Sequence, residues 1–349
     1  MGSGIAHVLS QNGYLVNLID INKSIHAKIL AKIPTANFVG VYDINEQRAK
    51  QISNEIGVRN FSTLDELLDN VEAVVIATPT TTHKEIALHC LMRGIHTFIE
   101  KPITDNVAGA DEIIKVAKEK NLKVQVGHVE RFNPALLSIS NYEINPVFIE
   151  THRLAQFKPR GTDVAVVLDL MIHDIDIILN LVKSEIEEIR ASGVEVISDS
   201  IDIANARIQF KNGCTANITA SRISRKNERK MRIFQKDAYI SIDFLQGITE
   251  IFRLVDEDKS SDESSTSTVL LGKIEEGTKK RKIIYEQPKV KDVNPIEAEL
   301  VAFIDSIIYD KPTVVSPEDG KLSLEVAFKI VEEIERQQKI VKEKMSLDI

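Results

Sequence analysis

Through residue 130 the chain alternates short, near-continuously apolar runs with stretches of helical periodicity. Residues 38–43 (FVGVYD) form a run that closes on an acid, and 45–56 continue with an amphipathic pattern. Residues 71–78 (VEAVVIAT) are rich in β-branched side chains and stop at Pro79, while 83–93 have helical spacing and stop at Gly94. The runs 96–99 (HTFI) and 123–126 (KVQV) flank another helical stretch at 106–120. Strands apolar on both faces, each followed by a helix, predict a parallel sheet covered by helices on both sides.

From about residue 145 the pattern changes. Strand-like segments at 147–152, 187–197, 203–210, 214–220, 230–234 and 238–243 are linked in places by tight turns such as Lys211-Asn212-Gly213. They predict a large, open, mostly antiparallel sheet. One helix, 164–181, interrupts them, and 256–268 (DEDKSSDESSTST) reads as a polar loop. Two helices around Lys311-Pro312 occupy 296–342 and are expected to pack back on the first domain. The expected fold is an α/β domain over residues 1–130 followed by an α+β domain over 131–349.

Composition narrows the function classes. A chain of 349 residues, 43% hydrophobic and 28% charged, has the make-up of a globular protein with two cores. The net charge of −8 argues against a nucleic-acid partner. Cys90 and Cys214 have no neighbours at metal-ligand spacing and read as reduced, packed thiols. No apolar run approaches the roughly 18 to 20 residues of a membrane helix, and the first residues lack a signal peptide's basic start. A cytoplasmic protein with no membrane partner is expected.

Candidate chemistry gathers at strand ends. In a doubly wound sheet ligands bind beyond the carboxyl ends of the strands. Thr78-Pro79-Thr80, followed by Thr81, Thr82 and His83, supplies hydroxyls and backbone N–H groups there; the same threonines suit a helix N-cap. Glu100-Lys101-Pro102 ends another strand, where a lysine can hold an alkoxide through a charge-assisted hydrogen bond, or simply be solvated. Pro102 admits a cis bond. Asp169 and His173 lie four apart in VVLDLMIHDIDIIL, on one face of an apolar helix. Such a pair suits proton transfer from an alcohol, and the alternative is a satisfied core histidine. No third ligand at convincing spacing joins them, so no metal is expected. Arg153, Lys158 and Arg160 precede that helix, and Arg222, Arg225, Lys226 and Arg229 follow it, a basic set fit for an anionic ligand or for plain solvent.

The succession ATPTTTH, FIEKPIT, VGHVERFNP and Asp169-x-x-x-His173 resembles the Gfo/Idh/MocA oxidoreductases from about His26 onward. The resemblance implies an NAD- or NADP-binding Rossmann domain, a substrate-binding antiparallel sheet, and a catalytic set of Lys101, Asp169 and His173. Asp43, Thr78, Pro79, Thr80, His83, Glu100 and Lys101 would then contact the cofactor. VGHVERFNPA and the stretch RLAQFKPRGTDVAVVLDLMIHDIDI look most like the branch that oxidises nucleotide sugars, with UDP-N-acetylglucosamine at C3 the implied substrate. Arg153, Lys158, Arg160, Arg222 and Arg225 would face its diphosphate. A homodimer or homotetramer is expected, because open antiparallel sheets often pair across subunits. A cofactor-impaired binding protein and an NAD-dependent glycosidase are the rival readings.

One feature departs from the family. A Rossmann domain opens with a strand and G-x-G-x-x-G, whose backbone N–H groups hold the pyrophosphate. Here those glycine positions fall on Leu18, Asp20 and Lys23. Residues 1–24 instead resemble the start of a 3-hydroxyacyl-CoA dehydrogenase, cut before its last fingerprint glycine. Residues 14–18 are expected to serve as the first parallel strand, with 4–11 a helix outside the sheet, since the strand's absence would leave sheet edges unpaired; the alternative is that the fragment stays loose. Asp43, 20 residues after Lys23, sits where an acid binds the ribose 2′-hydroxyl, favouring NAD over NADP; Asp43-x-x-Glu46 also reads as a helix capping box.

Overall fold

The computed structural model describes residues 14–20, 25–157, 164–256, 267–276 and 279–347. Two compact units divide the chain: Met1–Phe132 with Val293–Leu324, and Asn133–Asp292 with Glu325–Ile349.

The first unit is built on β1 (Tyr14–Asp20), α1 (Ile25–Leu30), β2 (Ala36–Val41), α2 (Glu46–Ile56), β3 (Arg59–Asn60), α3 (Leu64–Leu68), β4 (Ala73–Ala77), α4 (Thr80–Met92), β5 (His96–Glu100), α5 (Val107–Lys120) and β6 (Val124–Gly127). Its strands lie in the order β3-β2-β1-β4-β5-β6, all parallel. Tyr14–Asp20 thus supplies the first strand, between β2 and β4, despite its foreign sequence; the helix expected at 4–11 lies outside the described residues. The chain reverses its direction of travel across the sheet between β1 and β4, the switch point at which such folds bind ligands. Local signals fix the helices: Asn45 and Asn106 cap α2 and α5 through their side chains, and Gly57 ends α2 at a φ of 79°.

The second unit contains α6 (Pro134–Leu137), β7 (Phe148–Leu154), a π turn at Val167–Met171 that runs into α7 (Ile172–Val182), then β8 (Ile186–Val194), β9 (Ile203–Phe210), β10 (Thr215–Ser221), β11 (Glu228–Gln235), β12 (Ala238–Asp243), β13 (Ile248–Asp256), β14 (Ser267–Glu276) and β15 (Lys279–Gln287). The sheet order is β14-β15-β13-β12-β11-β7-β10-β9-β8. Every pairing is antiparallel except β7 with β10. Alternation is clean where one face is covered: along β9, alanine, isoleucine and phenylalanine point inward between exposed residues. Those inward residues join Ile149, Ile175, Ile178, Met231 and Ile233 in the core beneath α7.

The sequence reading missed β13, β14 and β15. These strands mix charged with apolar residues, and β14 forms the edge of the sheet. Their ends take in both ends of the expected loop, whose residues 257–266 lie outside the described residues. The C-terminal helices are α8 (Pro295–Ile308) and α9 (Pro317–Leu347). Leu300, Phe303 and Ile304 of α8 pack with Ala27, Leu30, Val75 and Phe98 in the core of the first unit. Cys90 and Cys214 are buried, and burial pushes their thiols up to about 12 and about 11 respectively. Among the described residues no helix is long and apolar enough to cross a membrane.

Candidate active site

In the first unit β4 leaves the sheet through Thr78 and Pro79, and α4 starts at once at Thr80. The N-cap position is Pro79, with no side-chain cap, so none of the threonines acts as the cap that their type suggested. Thr82 Oγ1 instead lies 2.8 Å from the Pro79 carbonyl, which can only accept its proton, and 2.8 Å from Thr78 Oγ1. The Thr82 backbone N–H also donates to the Pro79 carbonyl, at 2.9 Å, which among the described residues leaves the N–H groups of Thr80 and Thr81 for another acceptor.

The sequence reads His83 as a cofactor contact. The structure encloses it at 1% exposure, with Nδ1 2.9 Å from the Pro102 carbonyl and Nε2 2.9 Å from the Thr78 carbonyl. The ring ties the exit of β4 to the turn after β5, which makes it a positioning residue. Burial lowers its pKa, against the opposing pull of the two carbonyls and of Glu100.

That second turn carries Glu100, Lys101 and Pro102, and the Lys101-Pro102 peptide bond is cis. Glu100 Oε1 lies 2.8 Å from His26 Nε2, and Oε2 accepts the backbone N–H of Lys101 at 3.2 Å. Burial pushes the Glu100 carboxyl up, but the His26 hydrogen bond and the charges of His26 and Lys101 outweigh it and hold the group below its ordinary value. Room for this carboxylate comes from Gly127 on β6, where a Cβ would lie 3.0 Å from the Glu100 carboxyl atoms. Lys101 is half-buried at the carboxyl end of β5.

Asp43 follows β2 and is nearly buried. Its Oδ1 accepts the Asn45 N–H at 2.7 Å, and Oδ2 stands 3.5 Å from Arg48. The cap of α2 is Asn45, which accepts from Arg48 N–H, so Asp43 does not form the expected capping box.

In the second unit Asp169 lies in the π turn and His173 in the first turn of α7, both half-buried. The wider winding departs from the regular helix that the sequence predicts, and such turns recur at functional sites. Asp174, the next residue, is committed elsewhere. Arg153 on β7 donates from Nε to Oδ2 at 3.0 Å and from Nη2 to Oδ1 at 2.8 Å, and both side chains are almost fully enclosed. A buried pair of this kind leaves an uncompensated charge when one partner is removed, at a cost of about 3–5 kcal/mol.

The structure therefore corrects the basic set. The Arg153 guanidinium holds β7 to α7. Arg222 is also buried; it donates to the Val164 carbonyl and stands 3.8 Å from Asp202. Asp202 in turn accepts the backbone N–H groups of Val196, Ile197 and Ser198 at 2.7–3.0 Å. Burial pushes its carboxyl up, but these bonds and the Ser198 hydroxyl prevail and hold it well below its ordinary value. Arg225, Lys226 and Arg229 are exposed beside β11, while Lys158 and Arg160 lie outside the described residues.

Two participants escaped the sequence reading, His26 on α1 and Glu299 on α8. With Glu100 they form a group whose ligand-type atoms all lie within 4.8 Å of one another. The signal was present: Glu299 stands in the apolar stripe Ile296, Leu300, Phe303, Ile304, Ile307, where a charge is out of pattern.

Comparison with known proteins agrees with this arrangement. Residues 20–128 match the oxidoreductase family with an NAD-binding Rossmann fold, and residues 148–241 match the GFO/IDH/MocA C-terminal domain. A UDP-N-acetylglucosamine 3-dehydrogenase from Acidithiobacillus ferrooxidans is 41% identical over 228 residues, 65% of this chain and 72% of that protein. The chain belongs to the Gfo/Idh/MocA oxidoreductase family. A crystal structure of the same A. ferrooxidans enzyme superposes with a TM-score of 0.81 at 33% identity, covering 92% of this chain and 98% of the other. The myo-inositol 2-dehydrogenase of Thermotoga maritima is 25% identical over 336 residues, 91% of this chain and 94% of its own. This family member is a nicotinamide-dependent dehydrogenase acting on CH–OH groups. Its family match begins at Asp20, the last residue of β1, so nearly all of that strand precedes the matched region.

The residues present fit a nicotinamide dinucleotide except at one point. The uncapped start of α4, the hydroxyls of Thr78 and Thr80, and the carboxylate of Asp43 are groups of the chemical kind that a ribose and a pyrophosphate require, at the strand ends beside the switch point. Only the glycine cradle is replaced: Leu18 and Asp20 end β1 where G-x-G is expected.

Proposed function

We propose that this dehydrogenase oxidises a secondary hydroxyl of a nucleotide sugar, UDP-N-acetylglucosamine at C3, with NAD as the preferred cofactor. The observation that carries the reading is Lys101, held half-buried at the carboxyl end of β5 in a 3-2-1-4-5-6 sheet. The nearly full-length likeness to a UDP-N-acetylglucosamine 3-dehydrogenase supports the substrate. Arg225, exposed in the loop before β11, is the remaining described candidate for the diphosphate. Asp43 favours NAD, because an acid there would repel the 2′-phosphate of NADP.

When bound, the nicotinamide supplies the hydride acceptor. The chain's own residues handle the proton: His173 accepts it from the hydroxyl, Lys101 stabilises the developing alkoxide by a charge-assisted hydrogen bond, and Asp169 orients His173. Incubation with NAD and UDP-N-acetylglucosamine is expected to yield NADH and a sugar that has lost H2, detected by absorbance and mass spectrometry. Myo-inositol is expected to be a poorer substrate. Free sugar with no net NADH would favour the glycosidase; no turnover and no calorimetric NAD binding would favour a binding protein.

Assembly follows from the second sheet. Phe148, Phe234, Tyr239, Phe252 and Tyr285 stack across five neighbouring strands with ring centroids 5.0–5.6 Å apart. All five are half-buried, on the face opposite Ile149, Ile233, Ile240 and Ile251. A continuous aromatic stripe on an uncovered sheet face is the kind of surface a second copy buries. Light scattering is expected to give a dimer or tetramer, and Phe234→Lys to shift it toward monomer; a monomeric parent would end this reading.

A further inference from the structure

The group His26, Glu100 and Glu299 lies within the first unit, and two of its members, His26 and Glu299, are no part of the set that the sequence singles out. Glu299 is fully buried on α8, and neither of its carboxyl oxygens has a hydrogen-bond partner among the described residues. Its backbone is anchored by Gln125 on β6, which donates Nε2–H to the Glu299 carbonyl at 2.8 Å. Its side chain faces Glu100, which is already committed to His26 at 2.8 Å and to the Lys101 backbone at 3.2 Å. Two carboxyls this close, one fully buried and the other about a quarter exposed, do not both ionise near neutrality, because each negative charge raises the cost of the other.

We infer that the Glu100/Glu299 pair holds one proton at neutral pH, resident on Glu299, and that this neutral acid is a positioning residue for the turn carrying Lys101. The division of labour follows from the partners. Glu100 has a nearby imidazole, the Lys101 charge and a backbone N–H to stabilise its anion. Glu299 has burial and the facing Glu100 charge, both of which push its carboxyl well above the ordinary range. α8 also packs against α1, which carries His26 and Lys28, and against the turn Val129–Phe132, which carries Glu130 and Arg131; Lys28 pairs with Glu55 at 2.6 Å, and Glu100 is the charge that acts on Glu299. With the proton in place, Glu100 carries the only anion of the pair and keeps its bond to Lys101 N–H. Loss of the proton sets two anions against each other beneath that turn.

The link to catalysis rests on the proposed role of Lys101; the protonation state does not. The sign of the pH effect follows from linkage. A carboxyl whose folded pKa is raised contributes stability that is fully present below the unfolded value near 4.5, and loses it as pH rises through the folded value. Glu299→Gln keeps the shape and removes the titration.

Infrared spectroscopy of the intact protein at pH 7 is expected to show a protonated-carboxyl band that Glu299→Gln lacks. Thermal unfolding is expected to favour the variant increasingly from pH 5 to pH 9, and the alkaline limb of the parent's kcat profile is expected to flatten in the variant. Absence of the band from the parent overturns the inference, even if the variant does not fold. So does a variant destabilised equally at every pH, or a stoichiometric divalent metal in the parent that the variant loses. If Lys101→Met keeps full turnover, the kinetic link fails while the infrared and unfolding results still stand.

Discussion

Lys101→Met is expected to lower kcat and kcat/KM together by about 10²-fold or more, the usual loss when a charged donor to a developing oxyanion is removed. An equal fall in both parameters marks an interaction made in the transition state and not in the ground state. The substitution keeps the length of the aliphatic stem, and the side chain is only half-buried, so the melting temperature is expected to move little. Glu100 keeps its His26 partner in the variant, which separates loss of the ammonium group from collapse of the turn. A variant with parental kcat removes Lys101 from the reaction and the proposed mechanism with it.

His173→Ala is expected to cost about 10²- to 10⁴-fold in kcat, the range for loss of a positioned general base. It is also expected to change the shape of the pH profile. A protonated imidazole cannot accept a proton, so parental kcat/KM should fall on the acid side. The variant should lack that limb. Asp169→Asn, which keeps the shape and removes the charge, is expected to cost less than His173→Ala. The double variant Lys101→Met/His173→Ala should lose less than the product of the two single losses, because groups serving one transition state are not additive. Full multiplicativity, or an unchanged acid limb in His173→Ala, would mean that the two residues do not serve the same step.

The site was legible where chemistry coincides with a break in local pattern. Lys101 and Thr78 could be placed at strand ends because β4 and β5 are apolar runs that stop abruptly at prolines or charges. Asp169 and His173 stood out as polar residues in the apolar stretch around α7. Arg153 misled for a related reason. From sequence a basic residue beside a helix is equally a ligand contact or an ion-pair partner, and its buried bond to Asp174 depends on β7 lying under α7. His83 likewise looked like a cofactor contact until the two carbonyls on either side of its ring were in place.

The sequence by itself determined the order and kind of the central elements, the parallel first sheet, the antiparallel second, and even the use of residues 14–20 as a strand. The element types depend on side-chain periodicity and turn residues within a few positions of one another; the strand expected at 14–18, which the structure extends to Asp20, followed from the need to pair the neighbouring strands. Tertiary structure decided the meetings between distant residues: Glu299 brought to Glu100, Gly127 left bare to seat that carboxylate, Arg153 held by Asp174, and three charge-bearing strands added beyond β12. The reason is physical. Whether a charge is solvated, paired or stripped of its partners is set by which strands and helices become neighbours, and local periodicity carries no record of that.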